Sequence, residues 1–316
     1  MAIDKLKKLP EIVSDSNFFS EKSQLSHFIQ SEQSIHIWAW LNQGHFSLKT
    51  KEVYIRIVKR FLRFNWHISL KDITPALVTL YIRKLDKVSG STRNLHRNCL
   101  SSLFQYLENV DFIQKSPVKV VKQERLPDTF VYKVLSVDQI KRMAAKSISE
   151  RDRLIIKTLY FTGLRVSELS KIKIRDFAEV QQKRNKSGAY LTVLGKGQKI
   201  RTVLTGQHLW KEIKKYIKKT ALKPQDFLFN YEGDALSRIT IYKIIKQTTQ
   251  LAQVKVPGDK TPSPHWFRHS SAIHALENGA DIHVVQTTLG HASLATTGQY
   301  LRSRPVKSNS NYLKKV

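Results

Sequence analysis

The chain is short of cysteine and of long apolar segments. One cysteine, Cys99, among 316 residues excludes an internal disulfide and fits a reducing compartment. No apolar run approaches the ~18–20 residues that a transmembrane helix needs, and the stretch Met1–Lys5 lacks the apolar core of a signal peptide. We therefore expect a cytoplasmic protein without a membrane partner.

Acidic residues are few beside the basic ones. Lys and Arg number 54 against 25 Asp and Glu, which gives a formal net charge of +29 and a pI near 10.1. Residues 1–150 hold 24 basic and 14 acidic residues, and residues 151–316 hold 30 and 11. Because 41% of the chain is hydrophobic, this charge belongs to folded domains and not to a disordered tail. It predicts a polyanion that contacts both halves, the second more strongly.

The first half reads as helices. Apolar residues recur at helical spacing, and the helices are expected at Phe18–Leu41, Leu48–Phe64, Asp72–Leu85 and Thr92–Leu107. Cys99 falls on an apolar stripe and is expected in the core. The charge on the opposite faces is nearly all of one sign. We therefore predict phosphate contacts from Arg56, Lys59, Arg60, Arg93 and Arg97.

The length suggests about two domains of roughly 150 residues each. Periodicity is lost near residues 111–135, which favours a helical domain at 1–115, a linker at 116–132 and a second domain at 133–316. The second domain opens with a capping box at Ser136–Gln139. The alternating runs Tyr190–Leu194 and Ile200–Leu204 predict a β-hairpin with a glycine-containing turn. Helices follow near 207–221, 237–252, 265–278, 282–289 and 294–302. The expected fold is mainly α, with a small β-hairpin or sheet in the C-terminal domain.

Two arginines and two histidines precede a tyrosine near the end of the chain. A phosphodiester under attack gains negative charge on its non-bridging oxygens, and arginine forks suit those oxygens. Arg165 and Arg268 are the candidates, and His265 shares a helix face with Arg268. His291 and Tyr300 follow. A tyrosine hydroxyl, with a pKa of ~10, needs a base such as histidine before it attacks. The set predicts DNA strand cleavage through a tyrosine, without ATP or a metal.

His265 and His269 also allow a second interpretation, as zinc ligands four residues apart. The residues between them, Trp266, Phe267 and Arg268, supply no glutamate base. An arginine beside a metal ion would also repel it. We therefore expect no metal and no other cofactor.

The chain resembles the tyrosine recombinases of the phage integrase superfamily, with a layout closest to the Xer-type and simple plasmid or phage enzymes. The first half resembles the core-binding domain of that family more loosely. The resemblance rests on the motifs Thr162–Leu169, Gly195–Gly197, His265–His269, Gly279–Asp281, Val285–Gln286, Leu289–His291 and Thr296–Thr297 with Tyr300.

The resemblance implies a two-domain clamp around duplex DNA and a role for each motif residue. Arg165, Arg268, His265 and His291 would hold the scissile phosphate, and Tyr300 would form a 3′-phosphotyrosyl bond.

Two further roles follow from the same resemblance. Lys196 would protonate the leaving 5′ oxygen, and Glu168 would support the site around Arg165. Lys199 in the same turn is an alternative to Lys196, which is favoured because glycines flank it.

We expect a site-specific DNA recombinase of the integrase or resolvase type that works through a Holliday junction. Its partner would be a double-stranded recombination site, carried by a chromosome or a mobile element. The protein would be a homotetramer on DNA and a dimer or monomer off it, with room for accessory factors and a nucleoid location in a prokaryote. Two alternatives stay open: type IB topoisomerase-like strand relaxation, and a DNA-binding protein that has lost catalysis.

Overall fold

The structure, a computed structural model, describes residues 32–43, 46–126, 133–182, 186–195, 199–257 and 261–290. The chain divides into two units, Met1–Pro127 and Asp128–Val316. Each unit has an apolar core of its own. Across the described ranges, no helix is long and apolar enough to cross a membrane.

Unit 1 is helical in its described residues. Helices α2, α3 and α4 begin where the hydroxyls of Ser47, Thr74 and Ser89 accept hydrogen bonds from backbone amides. The elements are α1 (Glu32–Leu41), α2 (Leu48–Phe64), a short 3-10 helix (Leu70–Asp72), α3 (Pro75–Arg83) and α4 (Gly90–Asn109).

The predicted bounds match α2 and fall within two residues of α4. Helix α3 starts later than predicted, because Asp72 belongs to the 3-10 helix. Proline at the first helical position, after the cap at Thr74, sets the start of α3 at Pro75. Of the predicted helix Phe18–Leu41, the residues before Glu32 lie outside the described part of the chain.

Large aromatic side chains fill the core of unit 1. Trp40, Phe61, Tyr81 and Phe104 are fully buried, and Phe61 meets the rings of Tyr81 and Phe104 edge-on. Cys99 is buried among them, as predicted. Burial raises the pKa of its thiol, so Cys99 acts as a packing residue.

The chain after α4 packs back onto this core. Phe112, Ile113, Val118 and Val121 are buried against the helices of unit 1. The periodicity is lost here because turns bring the apolar residues to the core at irregular spacing. The predicted linker at residues 116–132 thus shares its first residues with this packed segment.

Unit 2 combines helices with a small sheet. The predicted capping box is present: Ser136 Oγ accepts from the amide of Gln139, and the Gln139 side chain accepts from the amide of Ser136. The predicted helix near 294–302 lies outside the described residues. The described helices are α5 (Val137–Ala145), α6 (Glu150–Thr162), α7 (Val166–Leu169), α8 (Gln207–Thr220), α9 (Arg238–Leu251), α10 (Pro264–Glu277) and α11 (Ile282–Leu289).

The sheet has three antiparallel strands in the order β1-β2-β3. They are β1 (Phe177–Gln182), β2 (Lys186–Leu194) and β3 (Ile200–Thr205), and the pairing of β2 with β3 confirms the predicted hairpin. Strand β1 was not predicted, because its polar edge sequence lacks apolar alternation. Farther along, β4 (Asn230–Tyr231) pairs with β5 (Asp234–Ala235).

Helix α6 lies at the centre of unit 2. Ile155, Ile156 and Leu159 are fully buried, and their neighbours in the core include Ile213 of α8 and Phe267 of α10. The chain that leaves the end of α6 therefore starts from a rigid point. That end carries the first of the predicted active-site motifs.

Candidate active site

A glycine in the left-handed region ends α6. Gly163 has φ +60°, and a Cβ at this position would lie 2.5 Å from Leu289 Cδ2. An L-residue in this conformation costs roughly 1–2 kcal/mol, and the close approach leaves no room for a side chain. The turn carries the chain to Arg165, the N-cap residue of α7.

Arg165 and Glu168 face each other across the first turn of α7. The carboxylate of Glu168 accepts from the Arg165 backbone amide at 2.8 Å and from Arg165 Nη1 at 2.9 Å. The Glu168 side chain is only 4% exposed, whereas that of Arg165 is 29% exposed. Glu168 thus orients an arginine that still reaches the surface, and its supporting role in the site stays a prediction.

A third charged residue, Arg201 on β3, binds the same carboxylate. Its place in the site was not predicted from the sequence. Its Nη1 and Nη2 donate to the two oxygens of Glu168 at 2.9 and 2.8 Å, and its Nε donates to the carbonyl of Thr288 at 2.9 Å. One signal could have found it. Arg201 alternates with Val203 and Thr205 along β3, so it falls at an inward position of the strand.

The pKa of Glu168 reflects this environment. Burial alone would raise it, but hydrogen bonds and charge from Arg201, together with hydrogen bonds from Arg165, outweigh burial and lower the pKa to about 2. Glu168 is therefore ionised at neutral pH. It neutralises one of two arginines, so the group retains a positive charge.

Arg268 on α10 joins three segments of unit 2. It is 3% exposed, and its Nη1 and Nη2 donate to the carbonyls of Gly163 and Leu289 at 2.6 and 2.5 Å. Both acceptors are neutral, so these two bonds leave the positive charge of the guanidinium in place. Arg268 thus fixes the ends of α6 and α11 relative to α10.

His265 stands one turn before Arg268, on the first turn of α10. His265 as a whole residue is exposed, yet partial desolvation of the imidazole by the surrounding protein lowers its pKa, and the charges of Arg268 and Arg165 lower it further. The structure therefore brings Arg165, His265 and Arg268 into one electrostatic neighbourhood. At neutral pH the imidazole is neutral, the form that accepts a proton.

The metal interpretation of His265 and His269 gains no support from their surroundings. Their ring centroids are 6.4 Å apart. Among the described residues, no group of three His, Cys, Asp or Glu side chains is placed to hold a metal ion.

Three predicted catalytic residues, Lys196, His291 and Tyr300, lie outside the described residues. The alternative to the first, Lys199, is exposed, and its carbonyl accepts from the amide of Gly195 at 2.8 Å at the end of the hairpin. These three positions are therefore known from the sequence alone.

Two of the predicted DNA-contacting arginines of unit 1 already have partners. Arg93 pairs with both carboxylate oxygens of Glu124, and it also donates to two backbone carbonyls. Arg97 donates to the carbonyls of Val118 and Val121. Arg93 therefore holds both the turn before α4 and the segment after α4 against the helices, and Arg97 holds the segment after α4.

The predicted basic residues on α2 differ from this pair. Arg56 and Arg60 are exposed and Lys59 is half-buried. Arg56 makes one weak hydrogen bond, to the carbonyl of Glu52 at 3.4 Å. The exposed face of α2 is therefore better placed than that of α4 to meet an anion.

The chain also matches known protein families. A phage integrase family profile matches residues 133–306, more than half of the chain. The chain belongs to the phage integrase family. It is a tyrosine-type site-specific recombinase that acts on DNA. A second profile, for a phage integrase N-terminal SAM-like domain, matches residues 39–114.

Relatives of this recombinase come from bacteria and archaea. It is 32% identical to a tyrosine recombinase of Pseudothermotoga lettingae over 264 residues, which covers 80% of this chain and 86% of the relative. It is 33% identical to the tyrosine recombinase XerA of Pyrococcus furiosus over 263 residues, covering 81% and 84%.

Solved structures share the fold of the recombinase. A XerH site-specific recombinase bound to a palindromic difH substrate superposes with a TM-score of 0.67 at 24% identity, covering 88% of this chain and 83% of the other. A lambda integrase tetramer bound to a Holliday junction gives 0.67 at 18% identity, covering 89% and 85%. At these identities the likeness is one of fold.

Proposed function

We propose that this recombinase cleaves and rejoins DNA at a specific site through a 3′-phosphotyrosyl intermediate on Tyr300. The observation that carries the proposal is the cluster of Arg165, Arg201 and Arg268, hydrogen-bonded around the ends of α6 and α11, in which two arginines share the carboxylate of Glu168. Such a cluster suits a phosphodiester, which brings negative charge.

Each step assigns a proton and a bond. The oxygen of Tyr300 attacks the phosphorus while a neutral histidine, His265 or His291, takes the hydroxyl proton. Arg165 and Arg268 stabilise the charge on the non-bridging oxygens. The bond from phosphorus to the 5′ oxygen breaks, and Lys196 protonates that oxygen. A 5′-hydroxyl then attacks the phosphotyrosine and gives its proton to the now neutral Lys196, the bond from phosphorus to the tyrosine oxygen breaks, and the protonated histidine returns a proton to that oxygen.

The chemistry conserves the energy of the phosphodiester in the phosphotyrosine. Rejoining therefore needs neither ATP nor a metal ion. The lowered pKa of His265 supports this scheme, since a neutral imidazole can act as a base.

We further infer that two basic units contact one duplex as a clamp, with a helical domain at residues 1–115 and a catalytic domain at 133–316. The active assembly is a homotetramer on two recombination sites that passes through a Holliday junction. The fold shared with a lambda integrase tetramer on such a junction supports this inference.

The test is strand transfer on defined DNA. The purified recombinase, in excess EDTA, receives a nicked, end-labelled site and an unlabelled duplex with a free 5′-hydroxyl. We expect a covalent adduct, and then a labelled strand joined to the new duplex. If supercoiled DNA is relaxed but no strand passes to a second duplex, the topoisomerase alternative holds. If no adduct forms on any site obtained by selection from random DNA, catalysis has been lost.

A further inference from the structure

We infer that Arg201 is a positioning residue of this active site, which orients Arg165 through Glu168 and ties both to the end of α11. The inference rests on the proposed function, because it concerns how a phosphate-binding arginine is held. Arg201 itself takes no part in a chemical step.

The strand position of Arg201 is the first argument. Side chains alternate across a strand, and the neighbours of Arg201 on the same face, Val203 and Thr205, are buried. The Arg201 side chain is 11% exposed. An arginine turned inward from a strand is costly to bury unless its charge and its donors are matched.

The contacts of Arg201 supply that match. The two terminal nitrogens bind the two oxygens of Glu168 as a planar fork, and Nε binds the Thr288 carbonyl. A fork of this kind fixes the plane of the carboxylate as well as its position. One Glu168 oxygen also accepts from Arg165 Nη1. The direction of the Arg165 side chain is therefore set by a carboxylate that Arg201 holds.

The same side chain touches the turn after α11. A Cβ on Gly290 would lie 2.9 Å from Arg201 Cδ. Gly290 has φ +65° and caps α11. Its neighbour in the sequence is His291, a predicted phosphate ligand. Arg201, like Arg268, is thus a side chain that joins the Arg165 motif to the segment leading into the His291 motif.

Lysine cannot reproduce this arrangement. A lysine ammonium keeps the charge but is a compact donor without a planar fork. It could not bind both Glu168 oxygens and the Thr288 carbonyl with the geometry of Arg201. Arg201→Lys therefore preserves net charge while it releases the orientation of Glu168 and Arg165.

The experiment measures single-turnover adduct formation on a nicked site. Each full-length protein is assayed at increasing concentration, so that its affinity for DNA is measured separately from the rate constant at saturation. We expect Arg201→Lys to lower that rate constant on the order of 10²-fold, as a displacement of about 1 Å would. The half-saturating concentration should change little. The matched control is Arg175→Lys, since Arg175 is exposed and bonds a surface glutamine, Gln225.

A methylphosphonate at the scissile position separates positioning from general damage. Replacing one non-bridging oxygen with methyl removes charge that an arginine would stabilise. If Arg201 acts through Arg165, the deficit of Arg201→Lys should shrink on one of the two methylphosphonate diastereomers. General structural damage would slow both substrates by the same factor.

If Arg201→Lys does not fold, a second set of variants that removes the charges of Glu168 and Arg201 tests the same inference. Glu168→Gln, Arg201→Gln and the double variant form a cycle, with thermal unfolding checked for each. Action through Glu168 predicts that the double variant is no slower than the slower single variant.

Three outcomes would overturn the inference: wild-type rates for Arg201→Lys, equal deficits on both substrates, or multiplicative effects in the cycle. A wild-type protein that forms no adduct would instead remove the proposed function, and this inference with it.

Discussion

The Nη2 atom of Arg268 donates a hydrogen bond to the carbonyl oxygen of Leu289 at 2.5 Å, and Nη1 donates to that of Gly163 at 2.6 Å. These carbonyls end α11 and α6. A buried arginine therefore organises the turns that lead to the Arg165 and His291 motifs, in addition to the charge it supplies. Its removal should cost both stability and activity.

The buried carboxylate of Glu168 should make stability depend on acid pH. Its folded-state pKa of about 2 lies below its ordinary value of 4.5, so its contribution is present above pH 4.5 and is lost as pH falls towards 2. Between pH 6 and pH 3 this loss is about 2 kcal/mol. Over this range, we expect the free energy of unfolding to fall by about 2 kcal/mol less for Glu168→Gln than for the wild type.

Chemical denaturation of the full chain at each pH makes this measurement. Other carboxylates titrate equally in both proteins, so they cancel in the difference. Parallel pH profiles for wild type and variant would contradict the assigned environment of Glu168.

Gly290 should be replaceable only at a cost to the active site. Gly290→Ala introduces a strained φ of +65° and a Cβ 2.9 Å from Arg201 Cδ. The matched control is Gly279→Ala, with φ +86° and open space around its Cβ. Both should lose roughly 1–2 kcal/mol of stability from strain, but only Gly290→Ala should also slow adduct formation. Equal adduct rates for the two variants would argue against a role for the Arg201 contact.

Lys196 should be needed only when the leaving oxygen needs a proton. Lys196→Ala should cleave ordinary DNA slowly, and a 5′-bridging phosphorothiolate, a better leaving group, should restore much of the rate. Arg165→Ala should not be rescued, because Arg165 acts on the non-bridging oxygens. Rates on both substrates check this prediction. Rescue of Lys199→Ala in place of Lys196→Ala would exchange the roles of the two lysines.

The arginines of unit 1 should separate into two kinds. Arg56→Ala should leave the unfolding temperature unchanged and reduce the salt slope of DNA binding by about 0.9, the value of one phosphate contact. Arg93→Ala should lower the unfolding temperature, because Glu124 and two carbonyls lose their donor. Salt titrations and thermal unfolding of both variants test the division. A full phosphate slope change for Arg93→Ala without destabilisation would reverse it.

Most of the helices and the arginine motifs could be predicted from the sequence, because these depend on local spacing. The periodicity of α2 and the capping box at Ser136 are local signals, and so is the pairing of His265 with Arg268 on one helix face. Their geometry needs only the α-helix repeat. The hairpin was likewise recognisable from its alternation and its glycine turn.

The contacts that position the site could not be read this way. Arg201 meets Glu168 only because β3 passes beside α7, and Arg93 meets Glu124 only because the segment after α4 folds back. Such pairs are separated by 33 and 31 residues, and local pattern carries no information about them. The polar strand β1 forms because it pairs with β2. Its own sequence does not predict a strand.

The most direct test of the account is the identity of the nucleophile. Tyr300→Phe removes only a hydroxyl, so it should bind the recombination site as the wild type does but form no denaturant-resistant adduct on nicked DNA. Tyr312→Phe, at the other late tyrosine, is the matched control and should form the adduct at the wild-type rate. A covalent adduct from Tyr300→Phe, or its loss in Tyr312→Phe alone, would contradict the central claim that Tyr300 cleaves the strand.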